Sequence, residues 1–525
     1  MHRDNFRLYV FYLGILLTII GLPFSRALIS FGQVALGALF LFDKNLISKL
    51  KIFVKNKIAM SFISIYVLWW LGMLYTSDIQ YGLFDLRTKL PLLIFPLVFV
   101  TEPRLSYKAF LTFILLFSAT VIASLSTSLY IYYVNHLSDY REAFVFVSHI
   151  RLSLMALISI ISLSYIAFNE KYFALIIRAL MLLGVLFLII VQFIFSMLSG
   201  VIILIFIVVV FFVRTLFSNI SRAKAVMGIV VIMMLFIGFV YIVFNIVDKY
   251  NDVSAIDLEQ LDTVTALGNK YNHKPFDYQI ENGNYIGIYV QWGEMNTAWH
   301  KRSKLDFDGH DKRNQPLRFT VLRYLSSKGL RKDAAGIASL TDTDIQNIEK
   351  GIANFEYAKR ISFKKRIYKL IWQYNIYKAN DESLVSGNTI LQRIELWSVA
   401  TELISENPIF GIGTGDINKA YADILEQKHS SLAGMGLRSH NQYLNAFVSM
   451  GIIGFIVFLF SLFYPAYLAK ANENPFLFYF IIIIATSMLW EDTIESQVGV
   501  SVYAFLYMFF IFADKGNLTQ IKKDQ

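Results

Sequence analysis

Apolar residues in this chain gather into runs instead of alternating with polar ones. The runs lie near 8–22, 26–42, 58–75, 89–101, 107–134, 150–168, 172–194, 197–213, 225–247, 441–468, 475–490 and 498–513. A helix crossing a bilayer takes about 20 apolar residues, so the pattern predicts an all-α polytopic membrane protein with about twelve transmembrane helices. The run at 89–101 is short and carries Pro91 and Pro96, which predicts a kink. The split within 172–213 rests on the short break around Ser196–Gly200. Between 248 and 440 the pattern changes to that of a water-facing insert. There Ile345, Ile348, Ile352 and Phe355 recur at helical spacing behind Thr341-Asp-Thr-Asp344, and Ile390 to Ile404 repeats the pattern up to Asn407-Pro408. Val253 to Trp299 shows no period and is expected to be irregular or short strands. The expected organisation is a bundle of about nine spans over 1–247, a large and mainly helical insert over 248–440 before the tenth span, three spans over 441–513, and a tail over 514–525.

Charge orients the bundle. The chain has 525 residues, 56% hydrophobic and only 16% charged, with a net charge of +10. The basic residues crowd into one set of short loops, at Arg7, Lys44, Lys49, Lys51, Lys55, Lys57, Arg104, Lys108, Lys171, Arg214 and Lys470 among others. The short loops of the opposite face hold Arg26, Arg87, Lys89, Arg141 and Arg151. Positive charge stays in the cytoplasm, so both termini are expected inside and the insert outside. The basic balance therefore reads as cytoplasmic loops and not as a nucleic-acid surface. The first apolar run is followed by no small-residue cleavage site, so no cleavable signal peptide is expected. There is no Cys, which excludes disulfides and thiolate metal sites.

Candidate chemistry sits where the insert re-enters the membrane. Arg438-Ser-His440-Asn441 is followed by nine residues and Gly451-Ile-Ile-Gly454. An imidazole at that mouth can take a proton from a hydroxyl near neutral pH, and the glycines let another helix or a lipid approach closely. Equally, His440 and Asn441 could cap the helix and Gly451 and Gly454 only pack. Upstream lie Arg393, Trp397 and Asn407-Pro-Ile-Phe-Gly411-Ile-Gly413-Thr-Gly415. That stretch lacks the Lys-Ser/Thr pair of a Walker loop and reads better as a tight turn after a helix. Glu491-Asp492-Thr-Ile-Glu495 places carboxylates on the membrane face of His440, to orient it, bind a sugar, or stand in water. Arg151, in Ser148-His-Ile-Arg151, suits a diphosphate, because a guanidinium fork fits phosphate oxygens; it could instead snorkel. Asp342-Thr-Asp344 has the D-x-D spacing of some metal sites but falls at a helix start, where such residues cap. His273, His300 and His310 have no ligand spacing, and no metal site is expected.

These motifs resemble the O-antigen ligase and polymerase family of bacterial membrane glycosyltransferases. The resemblance is carried by His440-Asn441-x9-Gly451-x-x-Gly454, by Arg393 and Trp397, by the glycines 411, 413 and 415, and by Glu495-x-Gln497-x-Gly499. The stretch Arg323 to Asp333 looks like inserts of Bacteroidetes-type members. One departure is Leu198-Ser199-Gly200, where many relatives place a basic residue; the phosphate ligand expected there is either missing or replaced by Arg151. The resemblance implies an undecaprenyl-diphosphate-linked glycan as donor, lipid A–core or another glycan as acceptor, and inverting transfer at the periplasmic face of the inner membrane. It implies no nucleotide, metal or other cofactor. His440 would be the base, Arg393 would act with it, and Arg438, Arg151, Asn441 and Glu495 would bind substrate or diphosphate. Ligase activity is expected ahead of polymerase or protein O-oligosaccharyltransferase activity. A polysaccharide or lipid transporter is the alternative from another class. Transporters carry buried charge near the midplane, and here, apart from Arg178, few charges sit deep in the apolar runs.

Overall fold

The computed structural model describes residues 2–137, 139–216, 222–253, 260–359, 363–378 and 389–513. The expected tail at 514–525 lies outside the described residues. The chain runs α1 (His2–Phe24), α2 (Arg26–Leu41), α3 (Leu46–Lys55), α4 (Lys57–Gly72), α5 (Ile79–Thr88), α6 (Pro91–Thr101), α7 (Tyr107–Val134), α8 (His149–Asn169), α9 (Leu175–Ile194) and α10 (Leu198–Leu216). Next come α11 (Arg222–Asn251), the strands β1 (Ile280–Glu281) and β2 (Asn284–Tyr285), α12 (Trp292–His300), α13 (Leu317–Ser327), α14 (Ala334–Ala338), α15 (Asp342–Glu349) and α16 (Phe363–Lys378). The chain ends with α17 (Thr389–Glu406), α18 (Ile417–Gln427), α19 (Gln442–Leu468), α20 (Pro475–Ser487) and α21 (Gln497–Phe512). Two compact units result, one from 1–214 with 392–525, the other from 215–391.

All twelve apolar runs are helical. Six helices among the described residues are long and apolar enough to cross a membrane: the first from Asn5, then Tyr107–Val134, His149–Asn169, Leu175–Ile194, Leu198–Thr215 and Gln442–Leu468. The others are shorter, and α2 with α3 makes a pair bent by 106°. The chain is thus an all-α, multi-pass membrane protein. In the first unit small residues let helices touch. A Cβ on Gly14 would meet Leu36 at 2.6 Å, and one on Gly32 would meet Thr18 at 2.4 Å, so α1 and α2 pack backbone to backbone. Helix α21 is buried around its whole circumference, with Tyr503, Phe505, Tyr507 and Phe509 inside, as an all-round apolar helix must be. The Tyr507 hydroxyl donates to the Leu462 carbonyl at 2.9 Å.

The second unit has its own core of Met295, Trp299, Leu317, Val321, Leu325, Ile337 and Ile348. Thr341 and Asp344 form a reciprocal capping box at the start of α15. The same Asp344 accepts from the Tyr324 hydroxyl at 2.6 Å and from Lys328 at 2.7 Å. The D-x-D element is therefore a helix cap. Residues 253–299 correct one expectation: they hold the short pair β1–β2, but Trp292–His300 is a helix. Trp299 fills the core from it and donates to the Leu305 carbonyl at 3.0 Å.

Candidate functional site

The site lies in the first unit and starts with a break in a helix. Gly451 has φ 61 and ψ −165 inside α19, a conformation open essentially to glycine alone. The break strips buried backbone groups of their helical partners, and such groups must be paired elsewhere. The stretch after α17 supplies replacements. The N–H groups of Ile412 and Gly413 donate to the carbonyls of Val448 and Ser449 at 3.0 and 2.9 Å. The Ile452 and Ile453 N–H groups donate to the carbonyls of Pro408 and Ile409 at 2.9 and 3.5 Å. Closeness of this order leaves no room for side chains: a Cβ on Gly411 would lie 2.4 Å from the Met450 nitrogen, and one on Gly451 would lie 2.2 Å from the Ile409 oxygen. The other motif glycines take their places around this joint. Gly413 and Gly415 pack on Thr76 and Asp78, and Gly454 faces Leu68 of α4. The glycine run spends its N–H groups on protein: the turn expected after α17 is present at 408–410, closed by the Gly411 N–H on the Asn407 carbonyl, and it also plugs the broken helix. Next to it, the Asp416 carboxylate accepts from the N–H groups of Ser77 and Asp78 at 2.7 and 2.8 Å and from the Ser77 hydroxyl at 2.6 Å. Burial alone would raise its pKa, but these donors hold it below the ordinary value.

The joint fixes the start of α19 and with it His440. Asn441 is the N-cap, its Oδ1 accepting from the Tyr443 and Leu444 N–H groups at 3.0 and 3.2 Å. His440 precedes it with φ 50, a left-handed backbone that turns the imidazole off the helix axis. Its Nδ1 lies 3.4 Å from Asp492 Oδ2. Asp492 Oδ1 accepts from Asn445 Nδ2 at 2.6 Å, and Ser439 Oγ lies 2.9 Å from Asn445 Oδ1. Trp397 of α17 holds the Ser439 carbonyl at 2.8 Å, and Arg393 holds the Trp490 carbonyl at 3.1 Å. The Asp492 contact raises the His440 pKa against the opposing effect of burial. A neutral imidazole with Nδ1–H on a carboxylate presents Nε2 as the proton acceptor.

Around this pair stand more carboxylates and arginines. Arg151 Nη2 is 3.9 Å from Glu491 Oε1, and Nη1 reaches the Ser148 hydroxyl at 3.3 Å. The Arg151 Nε is buried without a hydrogen-bond partner. Burial raises the Glu491 pKa more than Arg151 lowers it. Glu495 belongs to a second set. It accepts from Lys89 at 2.7 Å, Arg438 at 2.8 Å and Gln442 at 2.8 Å. Lys89 is fully buried, 2.6 Å from both oxygens of Asp85, with its ammonium 4.6 Å from the Trp69 ring centre. Arg438 also donates to Asn418 at 2.8 Å and to the Tyr81 hydroxyl. Two cations and two carboxylates balance, and although burial opposes ionisation the cations hold Glu495 down at about 2. Arg438 and Glu495 have thus committed their polar atoms to the frame that aims the 438–441 turn. Lys89, Asp85, Tyr81 and Asn445 complete that frame and were not singled out by the sequence. The one available signal was the Asp85–Lys89 spacing of four at the edge of an apolar run.

A groove of about 1060 Å³ runs beside the site. From α2 it takes Arg26, Ser30, Gln33, Val34, Gly37, Ala38 and Leu41, a single helical stripe along the whole element. A helix of that length extends about 24 Å. At the Arg26 end the groove meets Arg87, Arg151, Glu495 and Gln497; the rest is mostly apolar. The shape suits an extended apolar chain with an anionic head at the arginines.

Comparison with known proteins gives a family match over this stretch. Residues 338–459 match the family model described as O-antigen ligase. That region contains Arg393, the 411–415 glycines, Arg438, His440, Gly451 and Gly454. A protein of Haemophilus influenzae described as uncharacterized is 28% identical over 107 residues, which is 19% of this chain. The match spans about a quarter (27%) of that relative's length. Over residues 338–459, less than a quarter of the chain, the sequence is similar to the O-antigen ligase family.

Proposed function

We propose that this protein transfers a glycan from undecaprenyl diphosphate to an acceptor hydroxyl, as a ligase acting on lipid A–core at the outer face of the bacterial inner membrane. The observation that carries the proposal is the His440–Asp492 pair, 3.4 Å apart, beside the arginine end of a mostly apolar groove. In the proposed step His440 Nε2 takes the proton of the acceptor hydroxyl. The oxygen forms its bond to the anomeric carbon as the bond from that carbon to the diphosphate oxygen breaks, and the diphosphate leaves with the electron pair. Attack opposite the leaving group inverts the carbon. Arg151, Arg26 and Arg87, with Arg393 near His440, supply positive charge where the diphosphate gains negative charge. Asn441, Arg438 and Glu495 act on substrate through the turn that they hold. His440 then returns its proton to water.

Deletion in the native cell tests the acceptor. Loss of glycan-capped lipid A with accumulation of long lipid-linked polymer supports the ligase. Glycolipid carrying one repeat unit means a polymerase, and loss of glycoprotein alone means protein O-glycosylation. Full transfer by His440→Ala would overturn the proposed base. Intact transfer chemistry in the deletion strain, with substrate stranded on one side of the membrane, would mean a transporter.

A further inference from the structure

Helix α3 is no part of the site, and its surface has a different logic. It follows α2 at an angle of 106° and spans Leu46–Lys55, about 15 Å, half of a hydrocarbon core. As the second half of a span it would carry Lys49, Lys51 and Lys55 into hydrocarbon, where charge is rare and costly. Its packed row is Leu46, Lys49 and Phe53, with Phe53 buried. The row is pinned by ion pairs. Asp43 takes Arg7 at 2.6 Å and Lys49 at 2.6 Å, and Glu102 takes Arg7 at 3.0 Å and also Lys49. Beside it runs an exposed apolar row, Ile47, Leu50 and Val54, at 71%, 40% and 61% exposure. Beyond that come Lys51 and Lys55, with Lys44 and Lys57 at the two ends of the helix. These four lysines are exposed and have no ion-pair partner among the described residues.

We propose that α3 lies in the membrane interface on the face where the chain begins and binds anionic phospholipid headgroups of its own bilayer. The apolar row enters the acyl boundary, and the lysine row next to it meets phosphates at headgroup level. Charge complementarity selects the occupant: four ammonium groups stand along 14 residues with no carboxylate paired to them among the described residues.

The chain contains no Cys, so a single introduced thiol reports one position. Full-length protein is labelled with an environment-sensitive fluorophore at Ile47→Cys or Ser48→Cys and placed in nanodiscs containing phosphatidylglycerol. The probe at 47 should be blue-shifted and shielded from an aqueous quencher, and the probe at 48 should not. Native mass spectrometry then counts phosphatidylglycerol bound to the wild type and to the K44Q/K51Q/K55Q/K57Q variant. Retention should fall by about five-fold per lysine removed, and a fourfold Lys→Arg variant should retain lipid as the wild type does. Equal quenching at 47 and 48 would overturn the placement. Equal lipid retention by the wild type and the Gln variant would overturn the binding.

Discussion

A base must be neutral to take a proton, and Asp492 sets the pH at which His440 becomes neutral. The contact raises the His440 pKa above the ordinary value of about 6.5. The acid limb of the rate profile should therefore lie above that value. Asp492→Asn should move the limb to lower pH and slow the plateau, because the imidazole loses the partner that fixes its tautomer; a limb that stays put would separate His440 from the proton transfer. For stability the sign is the reverse of that for a carboxylate. The pairing contributes fully below pH about 6.5 and fades as pH rises through the raised folded-state value. His440→Ala should lower transfer by about 10²–10⁴-fold, measured on purified protein with lipid-linked donor and a matched melting curve. Lys89 tests the frame. Lys89→Met leaves Asp85 and Glu495 buried with one cation fewer, and removing one partner of a buried ion pair costs about 3–5 kcal/mol. Thermal unfolding in nanodiscs should show that loss, whereas an exposed lysine such as Lys301 changed to Met should not. His440 was legible in the sequence because an imidazole at the edge of an apolar run is chemically conspicuous. Lys89 was not. Its spacing from Asp85 fits any solvated helix pair, and only Glu495, 406 positions away, makes it a buried cation.

At the scale of elements, the working part is a joint between a loop and a broken helix. Four backbone hydrogen bonds that α19 forgoes around Gly451 are replaced by bonds to 408–413. The loop thereby fixes the first three turns of α19 and the histidine ahead of them. Gly451→Ala forces a side chain into a glycine-only conformation, worth about 1–3 kcal/mol of strain, and drives a methyl against the Ile409 carbonyl. The variant should melt at lower temperature and lose transfer. Gly37→Ala, whose Cβ would meet nothing within 4 Å, should insert and melt as the wild type does. Similar behaviour of the two variants would mean that the joint is unimportant. Both glycine motifs stood out in the sequence, one as a turn and one as a packing surface. Their mutual contact could not be read, since no local pattern says that two backbone segments will share hydrogen bonds. The apolar helices, though not the number of them that cross the membrane, were legible because hydropathy is a local property. The α12 helix was missed because its burial depends on a core assembled from distant residues.

For the whole molecule, function turns on which side of the membrane holds His440. Lipid-linked glycans of this class would be used at the outer face, and the Lys and Arg distribution puts 248–440 there if the spans before residue 248 are odd in number. Helix length alone does not fix that parity. Among the described residues six helices pass on length and hydropathy, while α2, α4, α6, α20 and α21 are shorter. Each short helix is packed against longer ones and can cross where the bundle, and not lipid, surrounds its ends. The absence of Cys makes the parity directly measurable. Lys301, exposed in the second unit, and Lys470, exposed after α19, should lie on opposite faces, since one crossing of α19 separates the two. In intact cells a small membrane-impermeant maleimide should label Lys301→Cys at once and Lys470→Cys only after the inner membrane is permeabilised. The reverse order would place His440 in the cytoplasm, away from an outer-leaflet donor, and would end the proposed transfer reaction while leaving the fold and the α3 interface untouched.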